Sequence, residues 1–251
     1  MDFTDKRILV TGGSRGIGFS IAKAFIDAGA RVAINGRTVQ SVDAATKKLG
    51  DGARLVGASG DIGTVSGCES VVKTAIDAFG GLDILVNSAG IGAGRPIEDS
   101  DEAMWDAHVD VNLKGTFFCC RAALPALRAS NGNIVNIASD AGLIGVPGIT
   151  VYCASKGGVV NMTRAMALEV APDVRVNCVC PGYVDTDMIR RSINKRKDPA
   201  AAEQRMIDYA PLKRIASTVE ISQAVLYLAS SDARFVTGAA LAIDGGASAG
   251  R

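Results

Sequence analysis

Near its amino end the chain reads Arg7-Ile-Leu-Val-Thr11 and continues directly as Gly12-Gly-Ser-Arg-Gly16-Ile-Gly18. Apolar residues then recur at helical spacing, at Ile21, Ala22, Phe25 and Ile26. This order predicts a strand, a glycine-rich turn and a helix, in which backbone N–H groups and the helix amino terminus can hold a pyrophosphate. Close packing alone also explains glycines in such a turn, so the turn leaves the function open.

The rest of the chain alternates strand-like apolar runs with helical stretches. The predicted strands are Ile8–Thr11, Val32–Asn35, Arg54–Ala58, Leu82–Asn87, Asn133–Ile137, Arg175–Val179 and Ala240–Ile243. Short strands separated by helices imply right-handed β-α-β crossovers, and therefore a parallel sheet covered by helices on both faces. Because no linker or repeat interrupts the alternation, we predict a single α/β domain over residues 1–251.

Composition narrows the range of partners. The 251 residues carry a formal net charge of +1, and 48% of them are hydrophobic. A charge this small gives no electrostatic reason to expect nucleic acid or an anionic membrane as a partner. No uncharged apolar run reaches the length of about 18 residues that a membrane span needs, and the first residues lack a signal peptide's apolar segment. We therefore expect a cytoplasmic enzyme without nucleic-acid or membrane partners.

The cysteine pattern argues against disulfides and metal binding. The six cysteines are Cys68, Cys119, Cys120, Cys153, Cys178 and Cys180, and none forms a C-x-x-C pair. The chain has one histidine, His108, so a zinc site is not expected. We predict reduced thiols buried in apolar surroundings and no metal site, with Cys153 as the thiol most reachable from a cleft.

The stretch Tyr152-Cys-Ala-Ser-Lys156 places a phenol and an ammonium four residues apart. On a helix these positions share a face. A cation roughly 5 Å from the phenol, at an effective dielectric near 20, favours the phenolate by about 3 kcal/mol, or about two pKa units. Such a tyrosine can exchange a proton with an alcohol or ketone near neutral pH. The spacing is also common on solvated helix faces.

Further motifs occur in a fixed order with these two: Asn87-Ser-Ala-Gly90, Asn112, Ser139 and Pro181-Gly182. Together they resemble the short-chain dehydrogenase/reductase family, in its single-domain branch, over the chain from Lys6 to about Gly246. The resemblance implies a Rossmann-type, doubly wound parallel sheet of seven strands in the order 3-2-1-4-5-6-7, with ligands beyond the carboxyl ends of the strands. It also implies hydride transfer between NADP(H) and a ketone or secondary alcohol.

The resemblance assigns the chemistry to four residues. Tyr152 would be the acid/base, and Ser139 would polarise the substrate oxygen by donating a hydrogen bond. Lys156 would lower the pKa of Tyr152 and bind the nicotinamide ribose. Asn112 would hold a water that links Lys156 to solvent.

The cofactor residues also follow from the resemblance. They are Gly12, Ser14, Arg15, Gly16, Ile17, Gly18, Asn35, Arg37, Asp61, Ile62, Asn87, Ala89, Gly90, Tyr152, Lys156, Pro181, Gly182, Val184 and Thr186. NAD-preferring relatives carry an aspartate at the end of the second strand, where this chain has Gly36 followed by Arg37. Because a guanidinium binds a 2′-phosphate bidentately, and Arg15 adds a second cation, we predict NADP(H), with NAD(H) as the weaker alternative. For Asp61, expected to bind the adenine amino group, an ordinary aspartate at a helix start is the alternative.

The resemblance also supplies substrate contacts. They are Ser139, Leu143, Tyr152, Tyr183 and Met188, with Ile91 and Val146 as further apolar positions. The least regular stretch, at about residues 186–213, is predicted to be a lid over the substrate. Asp140 is expected to be an exposed loop acid and His108 to be structural. The basic residues of the lid either attract an anionic substrate or form a solvated helix face; they are Arg190, Arg191, Lys195, Arg196 and Lys197.

Two other functions stay open at this point. The chain could reduce 3-oxoacyl groups on a carrier protein or coenzyme A, although related reductases often carry an arginine where this chain has Leu168. It could also sense NADP(H) without turnover, but such relatives usually lose the tyrosine or lysine that this chain keeps. Apolar residues beyond one face of the helices around 104–128 and 150–170 predict subunit contacts, and we expect a homotetramer.

Overall fold

Seven parallel strands form the sheet on which the chain is built, in the order β3-β2-β1-β4-β5-β6-β7. The computed structural model describes residues 1–50, 52 and 54–250; positions 51, 53 and 251, which the domain prediction also spans, lie outside the described residues. The strands are Arg7–Thr11 (β1), Arg31–Gly36 (β2), Leu55–Ser59 (β3), Ile84–Asn87 (β4), Asn133–Ile137 (β5), Arg175–Pro181 (β6) and Ala240–Ile243 (β7). This confirms the predicted Rossmann-type fold.

The predicted strand positions are confirmed to within two residues at each end. The largest differences are that β4 begins at Ile84 rather than Leu82, and that β6 runs on to Pro181. Proline has no backbone N–H to donate to the sheet, so it is tolerated at a position where the neighbouring strand needs no donor. The next residue, Gly182, donates its N–H to the Ile243 carbonyl and so closes the β6–β7 pairing at the carboxyl edge.

Helices cover both faces of the sheet. In the described residues they are Gly16–Asp27 (α1), Val39–Leu49 (α2), Val65–Phe79 (α3), Glu102–His108 (α4), Gly115–Ser130 (α5), Thr150–Val170 (α6), Asp187–Asn194 (α7), Pro199–Tyr209 (α8) and Thr218–Ala229 (α9). One apolar cluster joins the sheet to α1, α2 and α9, and a second joins it to α3, α5 and α6. The doubly wound arrangement explains why the strands are apolar on both sides.

The predicted lid is more regular than its sequence suggested. Residues 186–213 hold two helices, α7 and α8, rather than an irregular loop. Thr186 caps α7 by accepting from the Ile189 N–H, and Asp198 caps α8 by accepting from the Ala201 N–H. Pro199 occupies the first turn of α8, where its missing N–H costs no helical hydrogen bond.

Between α4 and α5 the chain makes a π-helical segment, Val109–Lys114, instead of one continuous α-helix. Such segments insert an extra residue per turn and often occur at functional sites. Here the segment carries Asn112, which is fully buried. Among the described residues, no helix combines the length and the apolar character that crossing a bilayer demands.

Candidate active site

The glycine-rich turn after β1 is shaped by contact between backbones. Gly12 has a φ of 65°, and a Cβ at this position would lie 2.6 Å from the Ala89 Cα. A side chain would therefore clash with the backbone after β4 as well as strain the turn. Thr11 tightens the same junction, because its Oγ1 accepts hydrogen bonds from the Ser88 and Ala89 N–H groups, each at 3.2 Å.

This turn fits the pyrophosphate of a dinucleotide. The first helix begins at Gly16, and the side chain of its N-cap residue, Arg15, makes no capping hydrogen bond. The amino-terminal N–H groups of α1 are therefore not occupied by a cap, as an anion site requires. Asn35 Oδ1 accepts from the Gly12 N–H at 3.3 Å, and Thr186 at the start of α7 faces Gly16 across the turn.

The residues predicted to lie near the adenosine half of the cofactor differ in their exposure to solvent. Asp61 is exposed, and its Oδ1 accepts from the Gly63 N–H at 2.9 Å, while Ile62 is buried. Asn87 is directed into the protein, where its Nδ2 donates to Asn136 Oδ1 at 2.9 Å. The Asn87 side chain thus joins β4 to β5 inside the sheet.

The end of β2 has no room for an acidic side chain without rearrangement. A Cβ at Gly36 would lie 2.9 Å from both the Ser14 and Ser41 hydroxyl oxygens. The next residue, Arg37, is exposed, and α2 then begins after the cap residue Thr38. A guanidinium and a helix amino terminus therefore adjoin at this edge, a combination that favours a bound anion.

Tyr152 and Lys156 share a face of α6, as their spacing predicted. The Lys156 Nζ lies 5.9 Å from the centroid of the Tyr152 ring. Lys156 is 5% exposed, and its Nζ donates to the Ile137 carbonyl at the end of β5 at 2.7 Å. Burial lowers the pKa of this lysine to about 8.

The lowering of the Tyr152 pKa by Lys156 is not found in this arrangement. Burial instead raises the pKa of Tyr152 to about 12, hydrogen bonding with Ser139 opposes the rise, and the Asp140 and Cys153 charges add to it. The prediction considered one cation in a medium of uniform dielectric. It left out burial, which takes both groups partly or wholly out of water and disfavours the charged form of each.

Ser139 lies directly beyond β5 in a short 3₁₀ turn. Its hydroxyl donates to Asp140 Oδ1 at 3.0 Å and accepts from the Ala141 N–H at 3.2 Å. The Pro181 carbonyl at the end of β6 lies 3.5 Å from the same oxygen. Two adjacent strand ends therefore place this hydroxyl beside the Tyr152 phenol.

Asn112 is tied to the loop after β4 and to α6. Its Oδ1 accepts from the Ile91 N–H at 2.8 Å, and its Nδ2 donates to the Ile91 carbonyl and to Ser155 Oγ, both at 3.0 Å. Gly90 closes the space between Asn112 and Lys156, because a Cβ there would lie 3.3 Å from Asn112 Oδ1 and 3.4 Å from Lys156 Nζ. Asn112 thus holds the backbone next to Lys156.

Met188, Tyr183 and Leu143 were predicted to contact the substrate, and the structure shows Met188 close to Tyr152. A Cβ on Gly92 would lie 3.4 Å from the Met188 sulfur and 3.6 Å from the Tyr152 ring, so helix α7 approaches α6 at this point. Tyr183, after β6, stacks edge-on against Tyr209 of α8, with 5.2 Å between ring centroids. Leu143 packs against the small apolar cluster beneath α6.

Asp140 was predicted to be an exposed loop acid, but in the structure it is buried. It is 7% exposed, and its Oδ2 accepts from the Tyr209 hydroxyl at 2.8 Å. Burial raises the pKa of this carboxyl. The misassignment arose because the partner, Tyr209, lies 69 residues away in sequence. His108 is buried, and its Nε2 accepts from the Ala93 N–H at 3.2 Å, in agreement with a structural role.

The lid's basic residues are partly neutralised. Arg190 bonds to Asp185 and to Glu203 of α8, and Arg191 lies 3.8 Å from Asp187. All six cysteines are free thiols, five of them buried and Cys153 half-buried. Within the described residues, no group of three or more His, Cys, Asp or Glu side chains is arranged to hold a metal ion.

Four side chains that shape the site were not predicted from the sequence. Thr11 anchors the glycine turn, Ser155 links Asn112 to α6, Asn136 links Asn87 to Thr163, and Tyr209 bonds to Asp140. Thr11 and Ser155 each adjoin a recognised motif, which is a signal that could have identified them. Asn136 and Tyr209 act through long-range contacts and have no local signature.

A doubly wound sheet with a glycine turn, an uncapped helix start and a Tyr–Lys pair on one helix face is typical of a dinucleotide-binding oxidoreductase. A sequence model of the family described as enoyl-(acyl carrier protein) reductase matches residues 12–248. The 2-(S)-hydroxypropyl-CoM dehydrogenase 3 of Xanthobacter autotrophicus is 39% identical over 96% of this chain and 96% of its own length. The 3-oxoacyl-[acyl-carrier-protein] reductase of Chlamydia muridarum is 36% identical over 96% and 97%.

The structural comparison agrees with these relatives. The glucose/ribitol dehydrogenase of the short-chain dehydrogenase/reductase type from Brucella melitensis superposes with a TM-score of 0.91 and 34% identity, covering 98% of this chain and 99% of that one. The chain therefore belongs to the short-chain dehydrogenase/reductase family, whose members are oxidoreductases that use nicotinamide cofactors and act on small molecules.

Proposed function

We propose that the protein is an NADP(H)-dependent carbonyl reductase, reversible as a secondary-alcohol dehydrogenase. The observation that supports this most directly is the convergence of Ser139, Tyr152 and Lys156 beyond the carboxyl ends of β5 and β6. This is the edge at which open parallel sheets bind their ligands. The glycine turn after β1 opens onto the same edge.

In reduction, the Tyr152 hydroxyl gives its proton to the carbonyl oxygen, and in oxidation it accepts the proton of the alcohol. Ser139 donates a hydrogen bond to the same oxygen, so that negative charge develops between two donors. The nicotinamide, when bound, supplies or accepts the hydride. Lys156, next to Gly90, binds the ribose on the nicotinamide side, and its cation then favours loss of the Tyr152 proton.

The preference for NADP(H) is supported by the end of β2. Gly36 leaves the space between Ser14 and Ser41 free of a carboxylate that would repel a 2′-phosphate. Arg37 and Arg15 are both exposed at this edge and available to bind the phosphate. Arg37→Ala should lower kcat/KM for NADPH by about tenfold, since a charge-assisted contact contributes about 1.5 kcal/mol, with little change for NADH. Arg234→Ala, on an exposed arginine after α9, is the matched control.

The reaction is tested by following NADPH absorbance against ketones, sugars and 3-oxoacyl thioesters. Turnover of a ketone that is lost in Tyr152→Phe, while NADPH still binds, is the expected result. Bound NADPH without turnover of any compound would favour a nucleotide sensor instead. Equal kcat/KM for NADPH and NADH, unchanged in Arg37→Ala, would remove the cofactor assignment but leave the reaction class intact.

A second candidate is the reduction of 3-oxoacyl groups on a carrier protein or coenzyme A. The similarity to a 3-oxoacyl reductase supports it, as do the exposed lid residues Lys195, Arg196 and Lys197, which could attract an anionic carrier. Against it, α6 carries Leu168 at the position where related reductases often have an arginine. This leucine is 85% exposed and offers no positive charge to a carrier. If a carrier is the substrate, KM for the acyl carrier must rise with salt, whereas KM for a neutral ketone must not.

We further propose a cytoplasmic homotetramer whose residues 186–213 act as the substrate lid. Free thiols throughout fit a reducing compartment. Large apolar side chains stay exposed on α4, α5 and α6, notably Trp105, Phe117 and Leu168, and on Phe235 near β7, as expected of surfaces buried between subunits. Analytical ultracentrifugation at micromolar concentration tests this, and a monomer would contradict it.

A further inference from the structure

Asp140 is the buried carboxylate next to the reacting centre that the proposed reaction does not use. Its Oδ1 accepts from the Ser139 hydroxyl at 3.0 Å and from the Ala141 N–H at 2.7 Å. Its Oδ2 accepts from the Tyr209 hydroxyl at 2.8 Å. Both oxygens are therefore engaged, one by the catalytic loop and the other by lid helix α8.

The lid is also held at its two ends. Where it begins and ends, the Ala216 carbonyl accepts from the Asp185 N–H, and the Ala216 N–H donates to the Tyr183 carbonyl. Arg190 joins α7 to α8 through Asp185 and Glu203, so that the two helices are linked to each other. The bond from Tyr209 connects this pair of helices to the loop that carries Ser139.

We propose that Asp140 is a positioning residue: its carboxylate holds the Ser139 hydroxyl with one oxygen and lid residue Tyr209 with the other, so that seating the lid sets the Ser139 donor. This rests on the function proposed above. A serine hydroxyl has one proton to donate, and a carboxylate competes with a substrate oxygen for it. The Tyr209 bond satisfies part of that carboxylate's demand, which weakens its hold on the Ser139 proton.

The charge environment gives the proposal a second measurable consequence. The titratable groups facing Asp140 are Tyr209 of α8, Tyr152 of α6, Tyr183 after β6 and Asp244 after β7. Tyr152 in turn faces Ser139, Asp140, Cys153, His108 and Lys156. The Asp140 charge raises the Tyr152 pKa. Its removal should therefore ease ionisation of the phenol.

Limited trypsinolysis tests the lid connection without any turnover. Lys195, Arg196 and Lys197 are exposed in the lid between α7 and α8 and serve as the reporting cleavage sites. Tyr209→Phe should raise the rate of lid cleavage by up to about tenfold, because cleavage follows the population of the opened form. Tyr227→Phe, on exposed Tyr227 of α9, is the matched control and should cleave as the unaltered protein does. Equal lid cleavage in all three proteins would overturn the connection.

The pH profile of alcohol oxidation tests the positioning role. Asp140→Asn keeps an oxygen for Ser139 and Ala141 but removes the charge, so the profile's midpoint should fall by about one pH unit. Asp140→Ala should also lose kcat by about tenfold or more, because the Ser139 hydroxyl is no longer held. Asp232→Asn, on an exposed aspartate after α9, is the control. An unmoved midpoint in Asp140→Asn, with kcat preserved in Asp140→Ala, would overturn the proposal.

The two assays separate failure of this proposal from failure of the proposed function. If the unaltered protein turns over no alcohol or ketone, the reductase assignment fails, yet the cleavage assay still reports on the bond between Tyr209 and Asp140. In the double variant Asp140→Ala/Tyr209→Phe, lid cleavage should match the larger single effect, because both changes remove the same bond. Fully additive effects would show that the two residues act independently.

Discussion

Replacing Lys156 with methionine should make the protein more stable at neutral pH while abolishing its turnover. The lysine is 5% exposed, and burial lowers its pKa from 10.5 to about 8. Below pH 8 the lysine is protonated in both the folded and the unfolded chain, so the folded state bears the full cost of burying the charge. A difference of about 2.5 pKa units corresponds to about 3 kcal/mol.

The sign of the pH dependence follows from proton counting. Between about pH 8 and 10.5 the unfolded chain holds a proton on this lysine that the folded protein has released, so stability must rise with pH in that window. From pH 7 to about 9.5 the unaltered protein should gain about 2 kcal/mol from Lys156. Tyr152, whose pKa is raised from 10.0 to about 12, acts in the opposite direction only above about pH 10.

The net change in the free energy of unfolding caused by Lys156→Met is smaller than the cost of burying the charge. The Nζ donates to the Ile137 carbonyl at 2.7 Å, and loss of that bond costs about 1 kcal/mol. Methionine fills a similar volume, so little cavity cost is added. We therefore expect the free energy of unfolding to rise by about 1–2 kcal/mol at pH 7, and to fall below that of the unaltered protein near pH 9.5.

The assay is urea unfolding at fixed protein concentration from pH 6.5 to about 9.5, with NADPH turnover measured in parallel. A fixed concentration is needed because the homotetramer proposed above would make the apparent stability depend on protein concentration. Lys48→Met, on exposed Lys48 at the end of α2, is the matched control and should follow the unaltered protein. A Lys156→Met variant with the same rise of stability with pH as the unaltered protein would refute the reasoning.

Three further predictions concern other parts of the fold. Gly12→Ala should lower the free energy of unfolding by about 2 kcal/mol or more and weaken NADPH binding, because its Cβ meets the Ala89 Cα at 2.6 Å; denaturation and NADPH titration measure both. Asn112→Leu should destabilise by about 2–4 kcal/mol, because the partly buried Ile91 N–H and carbonyl lose their partners; urea unfolding checks this, and a neutral effect would contradict it. For Asp83→Asn, burial raises the pKa of the carboxyl but the Arg7 bonds outweigh it, so the folded pKa is lowered; the variant should lose stability at pH 7, and the loss should disappear as acid protonates Asp83 in the unaltered protein.

The fold was accessible from the sequence because its signals are local. Apolar runs of four to seven residues alternate with helical periodicity, and the strand bounds shift by no more than two residues in the structure. Gly12 and the spacing of Tyr152 and Lys156 are equally local, since a turn and a helix repeat bring these groups to their places. The family resemblance supplied the strand order, which periodicity does not contain.

Other properties depend on partners that are distant in sequence. Asp140 read as a surface acid until Tyr209, 69 residues later, was found bonded to it. Arg190 read as part of a basic patch, but Glu203 on the next helix pairs with it. Lys156 was expected to lower the pKa of Tyr152, yet burial has the largest effect on the pKa of each of the two groups. The ionisation of these groups depends on how the whole fold excludes solvent. The local sequence pattern therefore predicted where these groups lie but not their charge states.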